Sequence, residues 1–216
     1  MKKKVKIIID VIMYAIFIYL MGYRLLWNLN IHAILGTTLF VLFIIHHILN
    51  YKWYKSILKG KYNFQRILLT SIDVLLLIAM IFMIISAILL SGAVTTISKI
   101  PMTETARVMH IVSTAWGFVL MTIHVGLHLK NLFIKLGNKF KNTNFEYCYY
   151  FIIIILLVFG AYSFIKSNLW CDMFMIDRVF LMNFNKIYFV IEKIGITLFF
   201  TIILYAMNIF KKKSKC

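Results

Sequence analysis

The sequence has little of what marks a soluble or secreted domain. One proline and nine glycines in 216 residues exclude a low-complexity linker. Cys148, Cys171 and Cys216 form no CxxC pair and no disulfide framework. Acidic residues are scarce, seven against 24 Lys and Arg, which leaves a formal charge of +17. Such a charge raises the question of nucleic acid. No soluble basic domain exists to bind it, because the basic residues sit in short blocks between apolar segments. No internal repeat is visible.

What the chain does have is apolar length. Residues of hydrophobic type make up 62% of it, well above the share usual in soluble domains, so lipid is the solvent for much of the chain. Six stretches, 7–27, 31–50, 67–91, 104–129, 147–166 and 187–210, are long enough to span a hydrocarbon core, which needs about 20 helical residues. Continuous runs of this kind cross lipid as helices. The first is too long for a signal-peptide h-region and lacks a small-residue cleavage site, so it is read as a retained span. The expected fold is all-α: a polytopic bundle of six transmembrane helices. Residues 1–145 form a four-helix core, and 146–216 form a C-terminal transmembrane hairpin with an outer loop.

Orientation follows from the basic residues. Lys2, Lys3, Lys4 and Lys6 precede the first span, and Lys52, Lys55, Lys59, Lys61 and Arg66 lie in the 51–66 connection. Lys130, Lys135, Lys139 and Lys141 lie in 130–146, and Lys211, Lys212, Lys213 and Lys215 close the chain. With six spans these blocks share one side, which the positive-inside rule assigns to the cytoplasm together with both termini. The outer loop 167–186 mixes Trp170, Phe174, Phe180 and Phe184 with Asp172, Asp177 and Arg178. It reads either as an interfacial amphipathic segment or as an ordinary connector.

All six histidines fall in the second and fourth spans: His32, His46, His47, His110, His124 and His128. Ionisable groups inside a membrane are expensive, so this concentration points to function. His32 to His46 and His110 to His124 are both separations of 14 residues. Fourteen helical steps return to within about 40° of the starting face after a rise of roughly 21 Å. Each helix therefore presents two imidazoles on one face near opposite edges of the bilayer. The two helices run parallel, so His32 is expected level with His110 and His46 level with His124. Two such levels suit two six-coordinate hemes, since neutral imidazole is a standard iron ligand. A CxxCH motif is absent, so these would be b-type hemes without thioether bonds.

Other residues fit this expectation. Gly117 lies midway between His110 and His124, and Gly36 lies one turn after His32; both either leave room for a flat macrocycle or ease the packing of helices. Arg107, one turn before His110, is placed to pair with a heme propionate or to snorkel at the interface. His47 and His128 are alternates for the inner level, or residues of a quinone site or proton path. Asp73 stands alone in the third span, either for quinone-linked proton transfer or as an interfacial residue bonded to a neighbour.

Six short runs then carry a family resemblance. His32-Ala-Ile-Leu-Gly36 with His46-His47-Ile-Leu-Asn50-Tyr-Lys-Trp53 resembles the first half of the flavinylation-associated cytochromes, long classed as a domain of unknown function. Arg107-Val-Met-His110, Ala115-Trp116-Gly117-Phe118 and His124-Val-Gly-Leu-His128 resemble the second half. The last two spans, with Gly160-Ala-Tyr-Ser-Phe-Ile-Lys166, resemble the extension of longer members. The resemblance implies a diheme cytochrome of the prokaryotic cytoplasmic membrane. It would pass electrons from a quinol or other cytoplasmic-side donor to an extracytoplasmic acceptor, a protein with covalently attached flavin. The chain has no flavin- or nucleotide-binding domain of its own.

Two other readings compete. A membrane non-heme iron oxidase of the desaturase kind would use His46, His47, His124 and His128 but leaves His32 and His110 unexplained. A metal or proton transporter would need a polar path and broken helices, whereas these interiors are mostly Ile, Leu, Phe and Met.

Overall fold

The computed structural model describes residues 2–22, 28–91, 103–176 and 185–213, and helix dominates them with no strand among the described residues. The helices are α1 (Lys2–Met21), α2 (Leu29–Leu49), α3 (Tyr51–Ile57), α4 (Phe64–Leu90), α5 (Thr103–Phe140), α6 (Glu146–Lys166), α7 (Leu169–Phe174) and α8 (Lys186–Lys213). Five of them, α2, α4, α5, α6 and α8, are long and apolar enough to cross a membrane. The stretch expected to span at 7–27 is represented by α1. Within α1, Lys4, Lys6 and Asp10 break the apolar character, and residues 23–27 of that expected span lie outside the described residues.

The chain divides into two compact units. One contains the described residues up to Thr70 together with 185–190; the other contains 71–176 and 191–213. In the first unit α1 and α2 pair. Lys6 Nζ donates to Asn50 Oδ1 at 2.9 Å, and Asp10 meets His46 at 2.7 Å. Each contact is one turn from the other on both helices, so the pair is antiparallel. Asn28 caps α2, its Oδ1 accepting from the Ile31 N–H at 3.1 Å. After α3 the chain turns around Arg66. Its guanidinium donates to the carbonyls of Ser56, Lys59 and Lys61 and stacks 4.2 Å from the Tyr62 ring. Gly60, at φ +79°, makes this turn possible.

In the second unit α5 is the central helix. It runs to Phe140, well past the expected end at 129, so Lys130, Lys135 and Lys139 lie on helix rather than in a loop. Tyr149 of α6 explains part of this extension: its hydroxyl donates to the Phe133 carbonyl at 2.9 Å, and its ring stacks on Phe140. α6 and α8 cross with their backbones nearly touching, since a Cβ on Gly160 would lie 2.4 Å from the Gly195 carbonyl oxygen. Such small-residue contact is how helices pack closely without a hydrophobic driving force between them. Of the 167–186 loop, Leu169–Phe174 forms α7, which buries Leu169, Cys171 and Met173. Trp116 of α5 anchors it, donating from Nε1 to the Met173 carbonyl at 3.1 Å and meeting Phe174 edge-on. Residues 177–184, the rest of the expected amphipathic segment, lie outside the described residues.

Candidate functional site

The histidine environments show a shared chemistry. In the second unit α4 runs antiparallel to α5 and receives both of its spaced histidines. Asp73 Oδ1 lies 2.7 Å from His124 Nδ1, and Ser86 Oγ lies 3.0 Å from His110 Nδ1. The 14-residue spacing therefore does put His110 and His124 on one face of α5. A carboxylate only accepts, so in a neutral imidazole the proton sits on Nδ1 of His124 and the Nε2 lone pair is basic. Ser86 has one hydroxyl proton, directed at the Met83 carbonyl at 2.8 Å. It then accepts from His110 Nδ1, which fixes the same tautomer there.

The first unit repeats the arrangement. Asp10 Oδ1 holds His46 Nδ1 at 2.7 Å. Asn50 Nδ2 approaches His46 Nε2 at 3.4 Å, a long contact that again treats Nε2 as the acceptor. Lys6 fixes the other end of that amide, so Lys6, Asn50, His46 and Asp10 form one polar chain. His46 and His124 thus share the same partner type, atom and distance, on different helices in different units. Imidazoles that ligate metal through one nitrogen nearly always have the other held by a carboxylate, backbone carbonyl or water.

The alternates differ. His47 Nδ1 bonds the Tyr54 hydroxyl, and partial burial pushes that phenol up from its ordinary value, so it is neutral at physiological pH. A phenol both donates and accepts, so His47 has no imposed tautomer. Its Nε2 is buried without a hydrogen-bond partner among the described residues. His128 is exposed and packs edge-on to His124, ring centroids 4.9 Å apart. His32 is half-buried on the first turn of α2.

The two glycines expected beside a cofactor have different surroundings. A Cβ built on Gly36 would meet no described atom within 4 Å. Gly117 is buried, and the Thr114 hydroxyl on the same face of α5, between His110 and Gly117, is buried without a hydrogen-bond partner among the described residues. Arg107 is exposed near the start of α5. Among the described residues no group of three or more His, Cys, Asp or Glu side chains gathers as a metal site.

No protein-family model, curated protein or solved structure matches the chain. The chemistry is therefore read from its own residues. The sequence leaves Asp73 two roles, proton transfer or bonding to a neighbour, and the structure shows it bonded to His124, a candidate ligand. Asp10, Ser86, Glu192 and Lys193 were missed. Each is a polar residue inside an apolar run, and that signal alone would have singled them out.

Proposed function

We propose that the chain is a membrane diheme cytochrome that moves electrons across the bilayer. The observation that carries this reading is the matched pair of carboxylate–imidazole contacts, Asp10–His46 and Asp73–His124, each at 2.7 Å on Nδ1. They leave Nε2 as the basic nitrogen of both residues, which is what an axial iron ligand requires; at His46 the Asn50 amide, 3.4 Å from Nε2, would have to give way. The Ser86–His110 contact supports the outer level in the same way. By spacing in the sequence, His32 and His110 would serve one heme b and His46 and His124 a second. Each bound heme would supply a one-electron ferric–ferrous couple. The protein's part is to fix the imidazole tautomers, exclude water with the surrounding apolar side chains, and present Gly36, Gly117 and Arg107 to the cofactor.

The wider reading follows from the resemblance to flavinylation-associated cytochromes. Electrons enter from a quinol or other cytoplasmic-side donor and leave to an extracytoplasmic flavoprotein. The protein sits in a prokaryotic cytoplasmic membrane, with α1 as a sixth span and both termini inside. The non-heme iron reading gains nothing from Asp10 or Asp73, since each carboxylate lies on Nδ1 of a histidine as a hydrogen-bond partner.

Substitution of single histidines separates these readings. Replacing His32 or His110 by Ala should remove one heme and leave the other; replacing His46 or His124 should remove the second. His47→Ala and His128→Ala should keep both. Loss of the inner heme in His47→Ala, with retention in His46→Ala, would transfer the ligand role to His47.

A further inference from the structure

The structure contains an intramembrane ion pair that the histidine network does not use. Glu192 and Lys193 lie inside the apolar run of α8, only 7% and 4% exposed, with Nζ and Oε1 2.9 Å apart. The Lys193 ammonium lies 5.8 Å from the centroid of the fully buried Phe118 ring on α5. α5 and α8 run parallel here, because Lys193 is beside Phe118 and Thr201 is beside Gly126. Phe118 follows Gly117, between His110 and His124 on the same helix. On α4 the same level falls between Asp73 and Ser86, in the middle of that helix's apolar length. The pair is thus at mid-depth in the second unit, where two charges cost most to desolvate.

We propose that Lys193 sets the electrostatic field at the redox centres, and that Glu192 holds and partly offsets its charge. This rests on the diheme reading. A buried positive charge directed at α5, between the two histidine levels, favours the state that has gained an electron. The step is a one-electron gain in which no bond forms or breaks. At about a helix diameter sideways and about 10 Å along the axis, ~14 Å in all, and an effective dielectric of ~20, one unit charge changes the reduced-to-oxidised ratio by nearly tenfold. For one electron that is about 59 mV.

The test is a redox titration of the purified protein in detergent, with reductant and oxidant as the only additions, followed by heme absorbance. Lys193→Met should lower the reduced-to-oxidised ratio at a fixed potential by roughly tenfold, and Glu192→Gln should raise it by several-fold. The double substitution should stay within about threefold of the parent, since both charges are gone. Exchange of the two residues, Glu192→Lys with Lys193→Glu, keeps the site neutral. It moves the positive charge about 100° around α8 and should lower the ratio as Lys193→Met does. The exchange carries the test where Lys193→Met does not fold. Bound heme with unchanged potentials in the exchanged protein overturns the proposal and leaves the diheme reading standing. A parent protein that binds no heme overturns both.

Discussion

Asp73→Asn is the most informative single change to the inner level. Asp73 is 13% exposed and His124 26% exposed at the side chain, so little water is available to replace the carboxylate. The amide keeps the size and one acceptor oxygen but loses the charge. It can also turn its NH2 group toward Nδ1 and draw the proton to Nε2, the atom required by iron. A hydrogen bond to a charged group contributes about 1.5–3 kcal/mol, and loss of such a partner behind a metal-bound histidine typically costs 10–100-fold in affinity. Heme affinity at the inner level should therefore fall by about 10–100-fold while the outer heme stays. Asp10→Asn should act on the same heme but more weakly, because Asp10 is 49% exposed and water can take part of its place. The assay is reconstitution of the apoprotein with hemin, followed by absorbance, for both single variants and the double. Refutation would be an Asp73→Asn protein that binds two hemes with parent affinity. A loss at the outer level would equally contradict the assignment, because Asp73 is bonded to His124 of the inner level.

Other outcomes follow from the same contacts. Ser86→Ala removes a neutral hydrogen bond from His110, so the outer heme should weaken by several-fold, about 1 kcal/mol, less than for Asp73→Asn; the same reconstitution measures it. Gly160→Leu places a Cβ 2.4 Å from the Gly195 carbonyl oxygen and should push α6 and α8 apart, lowering stability by about 1–3 kcal/mol or more, read as a fall in Tm in detergent. With Cys148 and Cys171 changed to Ser, Cys216 should resist a membrane-impermeant thiol reagent in intact cells and react after permeabilisation; labelling from outside would reverse the orientation.

Much of the fold was legible because lipid imposes a simple grammar. Apolar runs near 31–50, 67–91, 147–166 and 187–210 match α2, α4, α6 and α8 within a few residues at each end. The common face of His110 and His124 was legible from helical period alone. The end of α5 was not. Lys130, Lys135 and Lys139 suggested a loop, yet Phe133 and Gly137 lie on one side of a continuing helix and meet Tyr149 of α6. Charge ends a membrane span but does not end a helix. Sequence could identify Asp73 as an intramembrane acid, but its partner depends on the antiparallel register of α4 against α5, which no local pattern encodes. The same holds for Asp10 with His46 and for Lys193 over Phe118.

The central claim is two imidazole-ligated hemes in one chain, and heme content with a visible spectrum tests it most directly. Protein purified from a heme-sufficient host should contain two acid-extractable b-type hemes per chain, with the spectrum of six-coordinate low-spin iron when reduced. His32→Ala and His124→Ala should each retain one. A colourless protein containing non-heme iron or no metal, or a parent protein that saturates at a single heme, would contradict the account.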